Sequence, residues 1–134
     1  MKAKFASLAA GIGLLVSAAP VMAHHSFAAE YDASKPVNFK GVVTKVEWTN
    51  PHARFYVDVK DATGKVTNWN FELASPNVLI RQGWTRRALK EGDEISVSGS
   101  MAKDGAHLAN ARSVTLADGR KVFARSADDG APVQ

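Results

Sequence analysis

The chain contains no cysteine, so disulfide staples and thiolate chemistry are both closed to it. An exported domain of this size often leans on disulfides; this one has to stand on its hydrophobic core alone. The missing cysteine after the N-terminal apolar stretch also excludes a lipid-anchored N-terminus of the bacterial lipoprotein kind. No Gly-rich phosphate loop and no serine or cysteine nucleophile motif is present. Charge of one sign is scarce as well. Seventeen basic against thirteen acidic residues leave a net charge of +4, which falls to +2 once Lys2 and Lys4 are set aside. That is too little for a nucleic-acid grip. Long apolar runs are absent except at the start, where Phe5 to Ala19 is too short to span a bilayer as a helix.

That first run reads as part of a secretory signal peptide covering residues 1–23. Lys2 and Lys4 form its positive n-region, and Val21-Met22-Ala23 offers small or apolar residues to the peptidase. Cleavage after Ala23 is expected in preference to cleavage after Ala19, which would put Pro20 first. The address expected from this is the periplasm, with no membrane-spanning segment in the mature chain. What remains, His24 to Gln134, has the length of one domain with a modest core. It divides into an N-terminal arm (24–37), a folded domain (38–126) and a tail of frayed composition (127–134).

Glu47 to Val59 is the stretch around which the rest is organised. Asn50-Pro51 initiates a turn, because Pro disfavours the helical region for the residue before it. Val42, Val46 and Trp48 share a face at period two before the turn, and Phe55, Val57 and Val59 share one after it. Asp61 to Gly64 signals a hairpin, and Val66 to Leu73 a third strand with Trp69, Phe71 and Leu73 on one side. Ser75 suits a helix N-cap, Pro76 the first helical position and Gly83 the end. Glu94 to Met101 alternates strictly, with Ile95 and Val97 inward. Lys103-Asp104-Gly105 turns into a fifth strand, His107 to Leu116, and Asp118-Gly119 into a short sixth. The expected class is all-β with one short helix, an OB-fold-like five- to six-stranded antiparallel barrel. A plain meander with a covering helix competes with it. The expected core comprises Val42, Val46, Trp48, Phe55, Val57, Trp69, Phe71, Ile95 and Val97.

Several segments together resemble a family of small exported bacterial proteins, domain of unknown function family 6152. They are His24-His25-Ser26-Phe27 with Tyr31-Asp32, Trp48-Thr49-Asn50-Pro51-His52, Pro76-Asn77-Val78-Leu79, Gly83-Trp84-Thr85 and Ala109-Asn110-Ala111-Arg112-Ser113. The resemblance covers nearly all of the mature chain and implies an exported barrel-like domain of the bacterial envelope. It brings no activity, and His107 falls outside its pattern.

The four histidines are the unusual inventory. With cleavage after Ala23, His24 supplies a free α-amine and an imidazole that chelate one metal ion together. A second His in reach completes a three-nitrogen site, a donor set that favours Cu(II). His52 in the first loop is the expected partner, with His25 and His107 as further candidates; loops 1-2 and 4-5 of an OB barrel border the same face. Alternatively, His24 and His25 are a soluble start and His52 a turn residue bonded to a backbone carbonyl. Trp48, Trp69 and Trp84 read as core, Arg81, Arg86 and Arg87 as a solvated face, and Asp58 and Glu72 as solvated strand charges. The expectation is a periplasmic binding module and not an enzyme, with copper as its metal. A protein- or small-ligand-interaction module with incidental histidines is the alternative, and a small copper redox enzyme is a third reading.

Overall fold

The computed structural model describes residues 27–124. Residues 1–26, which include the expected signal peptide, His24 and His25, and residues 125–134 lie outside the described residues. In chain order the elements are α1 (Phe27–Glu30), β1 (Tyr31–Glu47), β2 (Arg54–Lys60), β3 (Val66–Glu72), α2 (Pro76–Arg81), β4 (Glu94–Ala102), β5 (Leu108–Thr115) and β6 (Lys121–Phe123). Neighbouring strands follow the order β3-β2-β1-β4-β5-β6, all antiparallel. A short parallel seam also joins β3 to β5, from Asn70↔Leu108 to Glu72↔Asn110. The pairings therefore run 1-2-3-5-4-1, the connection order of an OB fold, with α2 between β3 and β4. A plain meander would lack the β3–β5 seam.

The inner face follows from period two, with one correction. Phe55, Val57, Phe71, Ile95 and Val97 are buried in one core, Trp69 is 8% exposed, and Val46 and Trp48 pack partly buried against it. Val42, expected inside, is 43% exposed, and its neighbour Val43 is buried instead. A bulge explains the exchange. The register on β2 slips between Val43 and Lys45, so one extra β1 residue reverses which parity faces inward. Val37 and Val43 are inward before the slip, Val46 and Trp48 after it.

Local chemistry sets the ends of the elements. Ser75 caps α2, its hydroxyl accepting from the Val78 N–H at 3.4 Å. Gly83 leaves the helix at φ +94°, a region that costs any side chain but glycine's. Leu79, Trp84 and Leu89 then carry this connection into the core. The Trp84 indole donates to the Phe123 carbonyl at 2.7 Å and ties it to β6. Gly41 lies where β1 crosses β2 so closely that a Cβ would run into the Asp58 carbonyl.

β1 begins seven residues before the stretch that reads as a strand. Tyr31 and Asp32 pair with Ala102 and Met101, the register slips, and Pro36 resumes pairing with Ser100. The arm is thereby sewn onto β4, and Phe27 and Tyr31, one helical turn apart, stack with centroids 5.6 Å apart.

Candidate functional site

Asn50-Pro51 turns the chain between β1 and β2 through a cis peptide bond. The strand pairing then continues past β2: the Leu73 N–H donates to the Ala53 carbonyl at 2.8 Å, and the Ala53 N–H to the Ala74 carbonyl at 3.1 Å. Ala53 is fully buried by this exchange, which fixes His52 just outside it. The His52 Nδ1 lies 3.1 Å from the Leu73 carbonyl. It also lies 3.9 Å from Glu72 Oε1. The imidazole is thus held at a rim, half-buried, with one ring nitrogen directed at the end of β3.

At period two, His52 and Arg54 share the outer face of β2, as Asn70 and Glu72 do on β3, and Arg54 lies opposite Glu72 in register. Arg54 donates to Glu72 Oε2 at 2.5 Å and to the Asn70 side-chain oxygen at 3.4 Å. The Glu72 carboxylate is therefore divided between a guanidinium on one oxygen and an imidazole near the other. Nothing in the neighbouring residues marks its burial. Read as a solvated charge, Glu72 is only 7% exposed. The parallel seam lays Asn110 beside it, and Tyr31 of the returning arm lies near enough to feel its charge. Asp58, read the same way, lies further along β2 and accepts from the Asn68 amide at 2.8 Å.

Tyr31 is the other residue whose part only the fold reveals. It is 2% exposed and stands apart from the main core. Its hydroxyl is buried, outside strict hydrogen-bond geometry but near enough to the Glu72 carboxylate to interact with it. Burial, and then the nearby negative charge of Glu72, push its titration far above the ordinary tyrosine value, so it stays a neutral phenol. The arm thus plants Tyr31 beside the carboxylate that borders His52. The Lys103 N–H donates to the Glu30 carbonyl at 2.9 Å and holds the same arm to the turn between β4 and β5.

His107 is exposed and sits elsewhere, its ring 5.1 Å from that of Trp69, and its carbonyl accepts from the Asn70 N–H at 3.0 Å. Among the described residues no three His, Cys, Asp or Glu side chains gather as a metal-ligand set. The folded part therefore offers one imidazole with a carboxylate behind it, and further donors would have to come from His24 or His25. Trp69 and Trp84 are buried, as their strand and helix positions suggested. Arg81, Arg86 and Arg87 are exposed, and none forms an ion pair among the described residues.

A family model described as a family of unknown function (DUF6152) matches residues 11–111. No curated protein matches the chain. Among solved structures, the chain is similar to the mitochondrial single-stranded DNA-binding protein Rim1 of S. cerevisiae. The TM-score is 0.48 and the identity 8%, over 61% of this chain and 92% of that one. A likeness this distant carries no argument about ligand or fold here. No helix among the described residues is long and apolar enough to cross a membrane.

Proposed function

The chain belongs to this family of unknown function, which brings no activity with it, and from its own residues we propose an exported periplasmic module that binds Cu(II). The metal is taken by the α-amine and imidazole of His24 and by His52, with His25 as an auxiliary donor. The observation that carries this reading is the orientation of His52. An imidazole that ligates a metal characteristically turns its other nitrogen to a backbone carbonyl or a carboxylate. His52 Nδ1 has both, Leu73 O at 3.1 Å and Glu72 Oε1 at 3.9 Å, so the ligand role falls to Nε2. Covalent reach allows the partner: His24 is three residue steps from Phe27, at most ~11 Å of chain. Phe27 stacks on Tyr31, which feels the Glu72 charge. His107, resting on Trp69, is left out of the set. The role is binding and not catalysis.

The alternative, an interaction module with incidental histidines, is favoured by a different surface. Ile80 is 56% exposed at the end of α2, next to Arg81 and a few residues before Arg86 and Arg87. Such a patch suits an acidic envelope partner.

The test is thermal unfolding of the mature chain against Cu(II). A metal that binds only the folded state raises Tm in a concentration-dependent way. His52→Ala, and a form with one residue added ahead of His24, should lose that rise; His107→Ala should keep it. Glu72→Gln should weaken binding by about ten- to a hundredfold, the range for groups that orient a ligand. Equal copper stabilisation of wild type, the extended form and His52→Ala would refute the metal reading and leave the interaction module.

A further inference from the structure

On the side of the barrel formed by β1, β4, β5 and β6 lies an open groove of about 450 Å³. That volume is within the range of small-molecule sites. Cross-strand register builds it from two rows. One runs Lys40, Ser96, Thr115, Lys121, and the other Asn38, Ser98, Ser113, with Phe123 next in register beyond the lining. Strands in general are enriched in β-branched and aromatic residues. Here the middle strands carry three serines and a threonine, and their short side chains leave the hollow open.

We infer that this groove binds an acidic oligosaccharide, and the inference stands independently of the copper reading. Hydroxyls both donate and accept, as sugar hydroxyls do, so the serine and threonine rows can match either role. Ser98 and Ser113 already share a hydrogen bond, with Oγ atoms 2.7 Å apart, which sets their rotors. Phe123, next to Ser113 in register, flanks the groove at 59% exposure and can offer its ring to the apolar face of a sugar. Lys121 stands over that ring, 5.8 Å from its centroid, where it can meet a carboxylate on the stacked sugar. Lys40 marks the opposite end, its ammonium 3.7 Å from Glu94. No carboxylate lines the groove itself, so an anionic ligand meets no like charge inside it. Backbone carbonyls and amides are occupied in the strand ladders, which leaves recognition to these side chains.

The test is a two-dimensional amide NMR titration of the mature chain with oligogalacturonate, alongside a neutral malto-oligosaccharide and oligothymidylate of similar length. Oligogalacturonate should shift the amides of Ser96, Ser98, Ser113 and Thr115 and should bind less tightly as salt rises. Lys121→Gln should weaken it about tenfold, the loss of one charge-assisted hydrogen bond. Phe123→Ser should weaken it too, and Ser96→Phe, which fills the hollow from an exposed position, should abolish it while the other amide signals stay in place. Four results would each overturn the inference: no binding, shifts confined to another face, equal affinity for the neutral sugar, or equal affinity for oligothymidylate.

Discussion

Replacing Trp69 by Ala tests the packing that holds the site together. Trp69 is central in β3, opposite Val57 on β2, with its ring 4.7 Å from Phe39 and 6.5 Å from Phe71. Truncating a buried Trp or Phe to Ala costs about 3–5 kcal/mol, the sum of lost transfer free energy and a residual cavity. The structure orders two residues within that range. Phe71 has no exposure and stacks on Phe55 at 5.3 Å, so its removal leaves an enclosed hole. Trp69 lies at the margin at 8% exposure, with the exposed His107 ring against it, so water and His107 can settle into the space. Trp69→Ala should therefore cost about 3 kcal/mol and Phe71→Ala about 5 kcal/mol. For a domain of this size, about 3 kcal/mol lowers Tm by roughly 12–24 °C. Urea unfolding followed by circular dichroism measures both variants, and an unchanged m-value would show that only stability has moved. A loss below about 1 kcal/mol for Trp69→Ala would refute the burial argument and make Trp69 a surface platform.

Three further outcomes follow from particular residues. Val42→Asp should leave Tm nearly unchanged and Val43→Asp should prevent folding at ordinary temperature, because the bulge turns Val42 to solvent and Val43 to the core; similar melting of the two would contradict the slipped register. Tyr31 titrates higher in the folded chain than in the unfolded one, where it loses its proton near pH ~10. Its contribution is thus fully present below that pH and lost as pH rises beyond it. Tyr31→Phe should flatten that alkaline limb of a Tm-against-pH curve, and an unchanged limb would show that Tyr31 is not the group responsible. Gly41→Ala should lower Tm well beyond an ordinary strand substitution, since its Cβ meets the Asp58 backbone, and a neutral result in calorimetry would count against that close crossing.

Much of the barrel is legible because its signals are local. Ser75, Pro76 and Gly83 bracket α2 through hydrogen bonds and dihedral limits within one or two turns. Gly64, Gly105 and Gly119 all have positive φ at the three hairpin turns their neighbours announce. Trp69 and Phe71 declare their side by alternation alone. What stays hidden depends on strands far apart in the chain. A period-two pattern has no mark for an inserted residue, so the bulge after Val43 sends Val42 to the wrong side. Glu72 looks like the end of a polar row because nothing near it announces Asn110 beside it or Tyr31 of the arm close by. Tyr31 reads as part of a loose arm until its pairing with Ala102 is known. The site is half legible for the same reason. Asn50-Pro51 locates His52 at a rim, but the carbonyl and carboxylate that orient its ring belong to the end of another strand.

The most direct test of the copper reading is electron paramagnetic resonance of a chain beginning at His24 and carrying one equivalent of Cu(II). Two imidazoles and the α-amine would make a tetragonal site whose superhyperfine splitting counts three nitrogens. Three are expected in the wild type and in His107→Ala, and two in His52→Ala. The same three-nitrogen pattern in His52→Ala, or a spectrum of oxygen ligands alone in the wild type, would contradict it.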